Sequence, residues 1–138
     1  MRPPSPAREG PWLSPVLLRL YAAEALGSVS GVWLTVGLPF FTHHRFGWGA
    51  GHNFLLGAAQ GITYVLGALT APRAARRWGR RAALVRLYAA LAAVGAAIAG
   101  AAERGSEPAL VALVLLETGL VATTWPLLES LVSAGAGP

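Results

Sequence analysis

The chain has 138 residues, of which 54% are hydrophobic and only 12% are charged, and its formal net charge is +5. An ordinary soluble domain carries about 25% charged residues, so this composition argues against a soluble fold. The basic side chains, apart from three histidines, are all arginines that cluster beside long apolar runs. That pattern argues against nucleic-acid binding and is typical of membrane proteins with basic cytoplasmic loops.

The first predicted element is a Pro- and Arg-rich tail, residues 1–13, which we expect to lie in the cytoplasm. Residues 15–38 are apolar apart from Arg19 and Glu24. At about 1.5 Å per residue, this segment is long enough to cross a hydrocarbon core of about 30 Å. A cleaved signal peptide is the competing interpretation, but its apolar region would cover only about 7–15 residues. We therefore predict a retained first transmembrane helix.

Proline and polar residues mark the predicted end of this helix. Pro39 should end it, because proline lacks the backbone donor and clashes with the preceding turn. Residues 40–51 then form a predicted polar turn, with Trp48 at the membrane interface. Asn53 can cap the second helix.

Three further apolar segments follow. Pro72 should end the second helix, a basic turn at residues 73–81 should lead to the third, and Pro126 should kink the fourth. Residues 134–138 are predicted to be a truncated tail. The predicted helices are 15–38, 53–71, 82–100 and 108–131. The sequence therefore predicts an all-α, polytopic membrane protein whose four transmembrane helices occupy residues 14–133.

The distribution of arginine predicts the orientation in the membrane. With the tail inside, nine of the 11 arginines lie at or near the cytoplasm, and only Arg45 and Arg104 lie outside. Each arginine placed at the bilayer centre would cost about 2.5–3.5 kcal/mol. We expect a multi-pass protein of the cell membrane, plasma or inner, with both termini cytoplasmic.

Pairs of glycines one turn apart predict close helix contacts. Gly27 and Gly31 lie on the first helix, and Gly57 and Gly61 have the same spacing on the second. Close backbone approach drives helix association in lipid, where apolar side chains gain little by leaving the bilayer. The alternative is that glycine is simply common in a chain that contains 17.

Two carboxylates within the predicted spans are candidate proton or substrate sites. Glu24 lies in the first helix and Glu117 near the middle of the fourth. A charged side chain inside a membrane is costly, so it is a candidate functional group by default. Alternatively, Glu24 lies near the cytoplasmic end and pairs with Arg19 or Arg86.

Gln60 and Tyr64 are one turn apart on the second predicted helix and share a face. They are candidates to line a polar cavity for a small-molecule solute. Either could equally make an interhelical hydrogen bond.

The remaining residues suggest no enzyme and no cofactor. His43, His44 and His52 are predicted to be solvated loop residues, because adjacent loop histidines without acidic or Cys partners fix a metal geometry poorly. We therefore predict no metal site. No nucleophile–base arrangement or phosphate loop is visible, so we expect no enzymatic activity.

With the helices placed, the basic turn resembles a known family signature. Arg77-Trp78-Gly79-Arg80-Arg81 is similar to the R-x-G-R-R end of the loop that follows the second helix in the major facilitator superfamily. Arg76 occupies the acidic position of that signature and Pro72 its leading glycine. Residues 60–69, and the Trp125-Pro126-Leu-Leu-Glu129 run, add to the resemblance.

The resemblance implies a secondary transporter that works by alternating access, with an unidentified solute and a proton as the candidate coupling ion. This chain would then be an amino-terminal fragment whose partners are the lipid bilayer and the missing carboxy-terminal helices. Alternatively, it resembles the small multidrug resistance family, in which a four-helix homodimer uses one carboxylate, here Glu24. A non-transporting membrane scaffold is the third possibility.

Overall fold

The computed structural model describes residues 15–135, and these form helices with no β-strand. The helices are α1 (Pro15–Val32), a π-helical turn (Trp33–Gly37), α2 (Leu38–Phe46), α3 (Ala50–Trp78), α4 (Arg80–Arg104) and α5 (Glu107–Gly135). Since α1, the π-helical turn and α2 are continuous, we call them together the first span. The predicted tail, residues 1–13, and the last three residues lie outside the described part.

Four helical segments in the described residues are long and apolar enough to cross a membrane. They are Leu18–Phe46, Ala50–Trp78, Arg80–Arg104 and Glu107–Ala134. The shortest has 25 residues, which corresponds to about 37 Å at 1.5 Å per residue. The prediction of an all-α, multi-pass membrane protein with four spans in this order is confirmed.

The prediction that Pro39 ends the first helix is wrong. The chain stays helical to Phe46, so most of the predicted polar turn at 40–51 is helix, and only residues 47–49 are loop. The π-helical turn lies immediately before Pro39, and such local widening accommodates a proline that cannot continue the α-helical hydrogen-bond pattern. Gly37 makes room there, because a Cβ on it would lie 2.7 Å from Cε3 of Trp33.

Pro72 does not end the second helix either. It lies inside α3, and the predicted basic turn at 73–81 is helical except at Gly79. In a bilayer, unpaired backbone groups are costly, so a helix continues through proline more readily than in water. Gly79 has φ +76°, a left-handed value that favours glycine, and this single residue joins α3 to α4.

The opposite end of α4 also extends beyond the predicted helix. α4 continues to Arg104 instead of ending at Gly100, and Gly105 caps it in the left-handed conformation. The amide of Ser106 donates to the carbonyl of Ala101 at 3.0 Å, which satisfies a carbonyl at the helix end.

α5 is the centre of the bundle, because its contacts with α3 and α4 are much more extensive than any others. Buried apolar side chains form one cluster at each end. One comprises Leu38, Trp48, Leu56, Ala101, Leu110 and Val114. The other comprises Ala71, Ala83, Leu84, Leu87, Leu127 and Leu128. We call the second end, where α3 ends and α4 begins, the arginine-rich end.

α3 and α5 approach each other closely at Gly67 and Gly119. A Cβ on Gly67 would overlap the carbonyl oxygen of Gly119 and lie 2.9 Å from its Cα. In contrast, a Cβ on Gly27, Gly31 or Gly57 would have no atom within 4 Å, and the same is true of Gly61. The predicted glycine pairs therefore make no close contact within the described residues.

Candidate functional site

A cavity of about 370 Å³ lies between the first span, α3 and α5. It lies near the middle of each helix and between the two apolar clusters. Its polar walls come from Thr35, Gln60, Tyr64 and Thr118. We call it the central cavity. The predicted pair Gln60 and Tyr64 therefore does line one cavity.

Gln60 is held by a hydrogen bond across the helix interface. Its Nε2 donates to Oγ1 of Thr118 at 3.3 Å, and the Thr118 hydroxyl donates to the carbonyl of Val114 at 2.9 Å. Both interpretations of Gln60 made from the sequence thus hold at once, since the side chain bonds between helices and also faces the cavity. Its amide oxygen is a further acceptor that could bind a ligand.

Glycines form the rest of the cavity wall instead of closing it. Gly31, Gly57 and Gly61 line the space, and a Cβ on any of them would meet no atom within 4 Å. In these positions glycine widens the cavity. The four-residue spacing of Gly57 and Gly61, from which we predicted a close helix contact, therefore belongs to a cavity wall.

Glu117 is adjacent to Thr118 in sequence but faces a different space. Successive residues of an α-helix point about 100° apart, so it lies on another face of α5. It lines a second cavity of about 520 Å³ between the first span, α4 and α5, with Ser30 and Trp33 among its neighbours. Its side chain is only 6% exposed, so the predicted carboxylate is buried within the bundle.

Glu24 lies apart from both cavities. It lines a narrow cleft of about 140 Å³ between α1 and α5, together with Glu129 and Trp125. Arg19, one of its predicted partners, lines a separate groove with Arg81. The structure thus distributes the predicted polar residues over three spaces and brings only Gln60 and Tyr64 together.

The residues around the loop between the first span and α3 have a structural role. Asn53 does not cap a helix, because α3 begins at Ala50, and its Oδ1 instead accepts from the Thr42 hydroxyl at 2.7 Å. Trp48 is 8% exposed, so it packs against protein and does not form part of an interfacial aromatic belt.

The histidines near this contact are not in a loop, contrary to the prediction. His43 and His44 lie on α2 and His52 on α3. Nδ1 of His43 donates to the Trp48 carbonyl at 2.8 Å, and His52 packs on the Trp48 ring with centroids 5.7 Å apart. Within residues 15–135, no group of three potential metal ligands comes together.

The arginine signature surrounds Trp78 at the end of α3. The guanidinium carbons of Arg77 and Arg86 lie 5.8 Å and 5.2 Å from the centre of its ring, within the range of cation–π attraction. Arg80 and Arg81 follow Gly79 on the first turn of α4. This arrangement holds the basic side chains around one bend.

Four threonines were missed from the sequence. Thr35 and Thr118 line the central cavity, and Thr70 and Thr123 form a hydrogen-bonded pair between α3 and α5 with their hydroxyl oxygens 3.0 Å apart. Isolated threonines within apolar helices were the available signal, because a hydroxyl that bonds its own helix can also bond a neighbour.

Comparison with other proteins gives no relative for this arrangement. No family model matches the chain, and no curated protein or solved structure matches it either.

Proposed function

We propose that this chain is a solute-transporting membrane protein of the facilitator type, in which the central cavity binds a small, uncharged, polar molecule. The observation that carries the proposal is the cavity itself. Gln60, Tyr64, Thr35 and Thr118 meet in about 370 Å³ near the middle of a bundle of apolar helices. Ligand sites usually occupy about 300–1,000 Å³ and combine apolar walls with a few polar groups.

The polar residues fit a solute with hydroxyl or amide groups. Gln60 and the threonines offer donors and acceptors without a charge, and the three glycines leave backbone accessible along one wall. Polar side chains inside a membrane mark substrate pathways by default.

The packing of the helices supports alternating access as the mechanism. α3, α4 and α5 form a tightly packed unit, whereas the first span touches α5 over a small area. The central cavity lies where these two parts meet. Movement of the first span, with helices outside this chain, against the α3–α5 unit would open the cavity to alternate sides.

Glu117 is the better candidate for the coupling proton. Its side chain is buried in the second cavity, and it lies on α5, the helix that also supplies Thr118 to the central cavity. The arginines indicate the orientation: among the described residues, seven lie at the arginine-rich end and Arg45 and Arg104 at the other. We therefore place the arginine-rich end in the cytoplasm of a cell membrane.

The decisive experiment measures binding with a change confined to the cavity wall. The purified chain in detergent is heated in the presence of a panel of small sugars, polyols and amides. A bound solute at 100 times its Kd should stabilise the protein by about 2.7 kcal/mol. Gly61→Leu places a side chain in the cavity, where a Cβ meets no atom within 4 Å, and should abolish this stabilisation. Gly27→Leu, whose Cβ also meets no atom but which lies outside the cavity, should preserve it.

Two results would contradict the proposal. One is that no solute in the panel raises the midpoint of unfolding. The other is that a stabilising solute protects Gly61→Leu as well as the unaltered chain.

A homodimeric exporter is the second candidate, favoured by the open glycine face of α1. A Cβ on Gly27 or Gly31 meets no atom within 4 Å, so another helix could pack there. The chain has no cysteine, which makes a single Ser28→Cys variant a clean reporter. Oxidation in native membranes would give a disulfide-linked dimer if two α1 helices meet, and Glu24→Gln would abolish drug resistance.

A further inference from the structure

A groove of about 510 Å³ opens at the arginine-rich end, where α1 and α4 begin and α5 ends. Arg19 and Arg81 lie at its rim, and Leu84, Val85 and Leu128 form apolar walls, with Tyr88 further along α4. We call it the basic groove. It is separate from the central cavity and shares none of its lining residues.

Among the described residues, two arginines and no carboxylate line the groove, and more arginines lie near it in sequence. Residues 73–86 contain six arginines and no acidic residue. Arg19 and Arg81 are both exposed, so their guanidinium groups can reach the aqueous boundary of the membrane while their stems follow the apolar surface. The charge lies at the mouth of the groove and the apolar surface lies deeper.

We propose that the basic groove binds an anionic phospholipid, with its phosphate between Arg19 and Arg81 and one acyl chain along Leu84, Val85 and Leu128. Guanidinium groups match the geometry of phosphate oxygens, and basic pockets between transmembrane helices on the cytoplasmic side bind anionic headgroups. The apolar walls then contact the acyl chain, which a free phosphate lacks.

The nearby carboxylates set the depth of the headgroup. Glu24 and Glu129 line a neighbouring cleft that shares Leu128 with the groove. Glu24 is five residues beyond Arg19 on α1, and Glu129 is six residues before the end of α5. Both carboxylates therefore lie about 8 Å deeper in the bundle than these reference points. A phosphate at that depth would be repelled, so the headgroup stays at the rim.

The test compares lipid retention by native mass spectrometry. The full chain, purified in detergent, is incubated with equal amounts of phosphatidylglycerol and phosphatidylcholine with the same acyl chains. The unaltered chain should retain phosphatidylglycerol preferentially. Arg19→Gln with Arg81→Gln should lower that preference by roughly 25-fold, since each arginine that contacts the bound phosphate directly should contribute about 5-fold or more.

A matched pair, Arg73→Gln with Arg76→Gln, removes the same charge from α3 outside the groove and should preserve the preference. Val85→Trp leaves both arginines in place but fills the exposed wall, so it should also release phosphatidylglycerol. Inorganic phosphate, used alone at equal concentration, should bind no more weakly to Val85→Trp than to the unaltered chain.

The proposal is overturned if both arginine pairs lower the preference equally, because the lipid would then respond to general charge. Retention by Val85→Trp would show that no acyl chain occupies the groove, and an equal retention of both lipids by the unaltered chain would exclude a specific site. None of these results depends on solute transport.

Discussion

The first span and the α3–α5 pair differ in how closely they pack against other helices. α3 and α5 meet through Gly67 and Gly119, and Thr123 adds a hydrogen bond to the Gly67 carbonyl at 2.9 Å. The first span instead leaves large side chains uncovered, with Leu26 and Phe40 each 73% exposed. Both regions contain glycine one turn from a small residue, so the spacing alone does not produce the contact.

The difference shows what makes a close helix pair in this chain. On α3 and α5, a glycine faces another glycine and a threonine donor lies beside them. On α1, Gly27 and Gly31 face open space. Packing in lipid depends on backbone approach and hydrogen bonds, and the α3–α5 pair has both, whereas the described part of α1 has no close approach at Gly27 or Gly31. The result is one tight unit and one lightly attached span.

The largest expected effect comes from Gly67→Leu. Its side chain would overlap the backbone of Gly119, so we expect a loss of about 3 kcal/mol in the free energy of unfolding, the upper end for overpacking. Denaturant titration in detergent followed by circular dichroism measures it. Gly27→Leu should change stability little, and an equal loss in both variants would refute the contrast.

A smaller loss is expected from Thr123→Val. The change keeps the shape of the side chain but removes its bonds to Gly67 and to Thr70. Such interhelical bonds contribute about 0.6 kcal/mol on average and up to about 1.7 kcal/mol. Thr35→Val is the matched control, because the Thr35 hydroxyl bonds only its own helix, at the Gly31 carbonyl. Equal effects of the two substitutions on the unfolding midpoint would show that the hydrogen bonds between α3 and α5 add no stability of their own.

Asn53→Leu tests the hydrogen-bonded link that joins α3 to the first span at Asn53. It removes the 2.7 Å bond from the Thr42 hydroxyl and the 3.5 Å bond that Nδ2 donates to the Pro39 carbonyl, and we expect a loss of about 0.6 kcal/mol, mainly from the shorter bond. Because the link lies beside the loop at residues 47–49, that loop should be cut faster by a protease. His44→Leu, an exposed change on α2, is the control, and unchanged proteolysis of Asn53→Leu would show that the link does not hold the span.

The smallest effect is expected from Leu26→Ala on α1. Its side chain is 73% exposed on the outside of the described bundle, so stability should change by no more than about 0.5 kcal/mol. The same denaturant titration checks it. A loss above about 1 kcal/mol would show that another helix covers this face.

The number and order of the helices followed from hydropathy, because apolar segments long enough to cross a bilayer have few other structures open to them. The ends of the helices could not be predicted in the same way. Proline usually ends a helix in water, where exposed backbone can bond to solvent, and that rule predicts helix ends at Pro39 and Pro72. In this chain a π-helical turn accommodates the first and α3 runs through the second.

Part of the candidate site was also accessible from the sequence. Gln60 and Tyr64 were placed on one face by their spacing, and both line the central cavity. Their partners could not be found the same way, because Thr35 and Thr118 come from helices distant in sequence. The role of these residues in binding a solute stays a prediction, as does that of Glu117.

The single-residue joint at Gly79 bears on how the protein is made. Two helices of 29 and 25 residues joined by one residue cannot enter a bilayer independently, so they should insert together as a helical hairpin. Arginines lie on both sides of the joint, and each would cost about 2.5–3.5 kcal/mol at the bilayer centre. Moving the joint across the membrane would carry these arginines through the bilayer, so we expect the hairpin to keep the orientation in which it inserts.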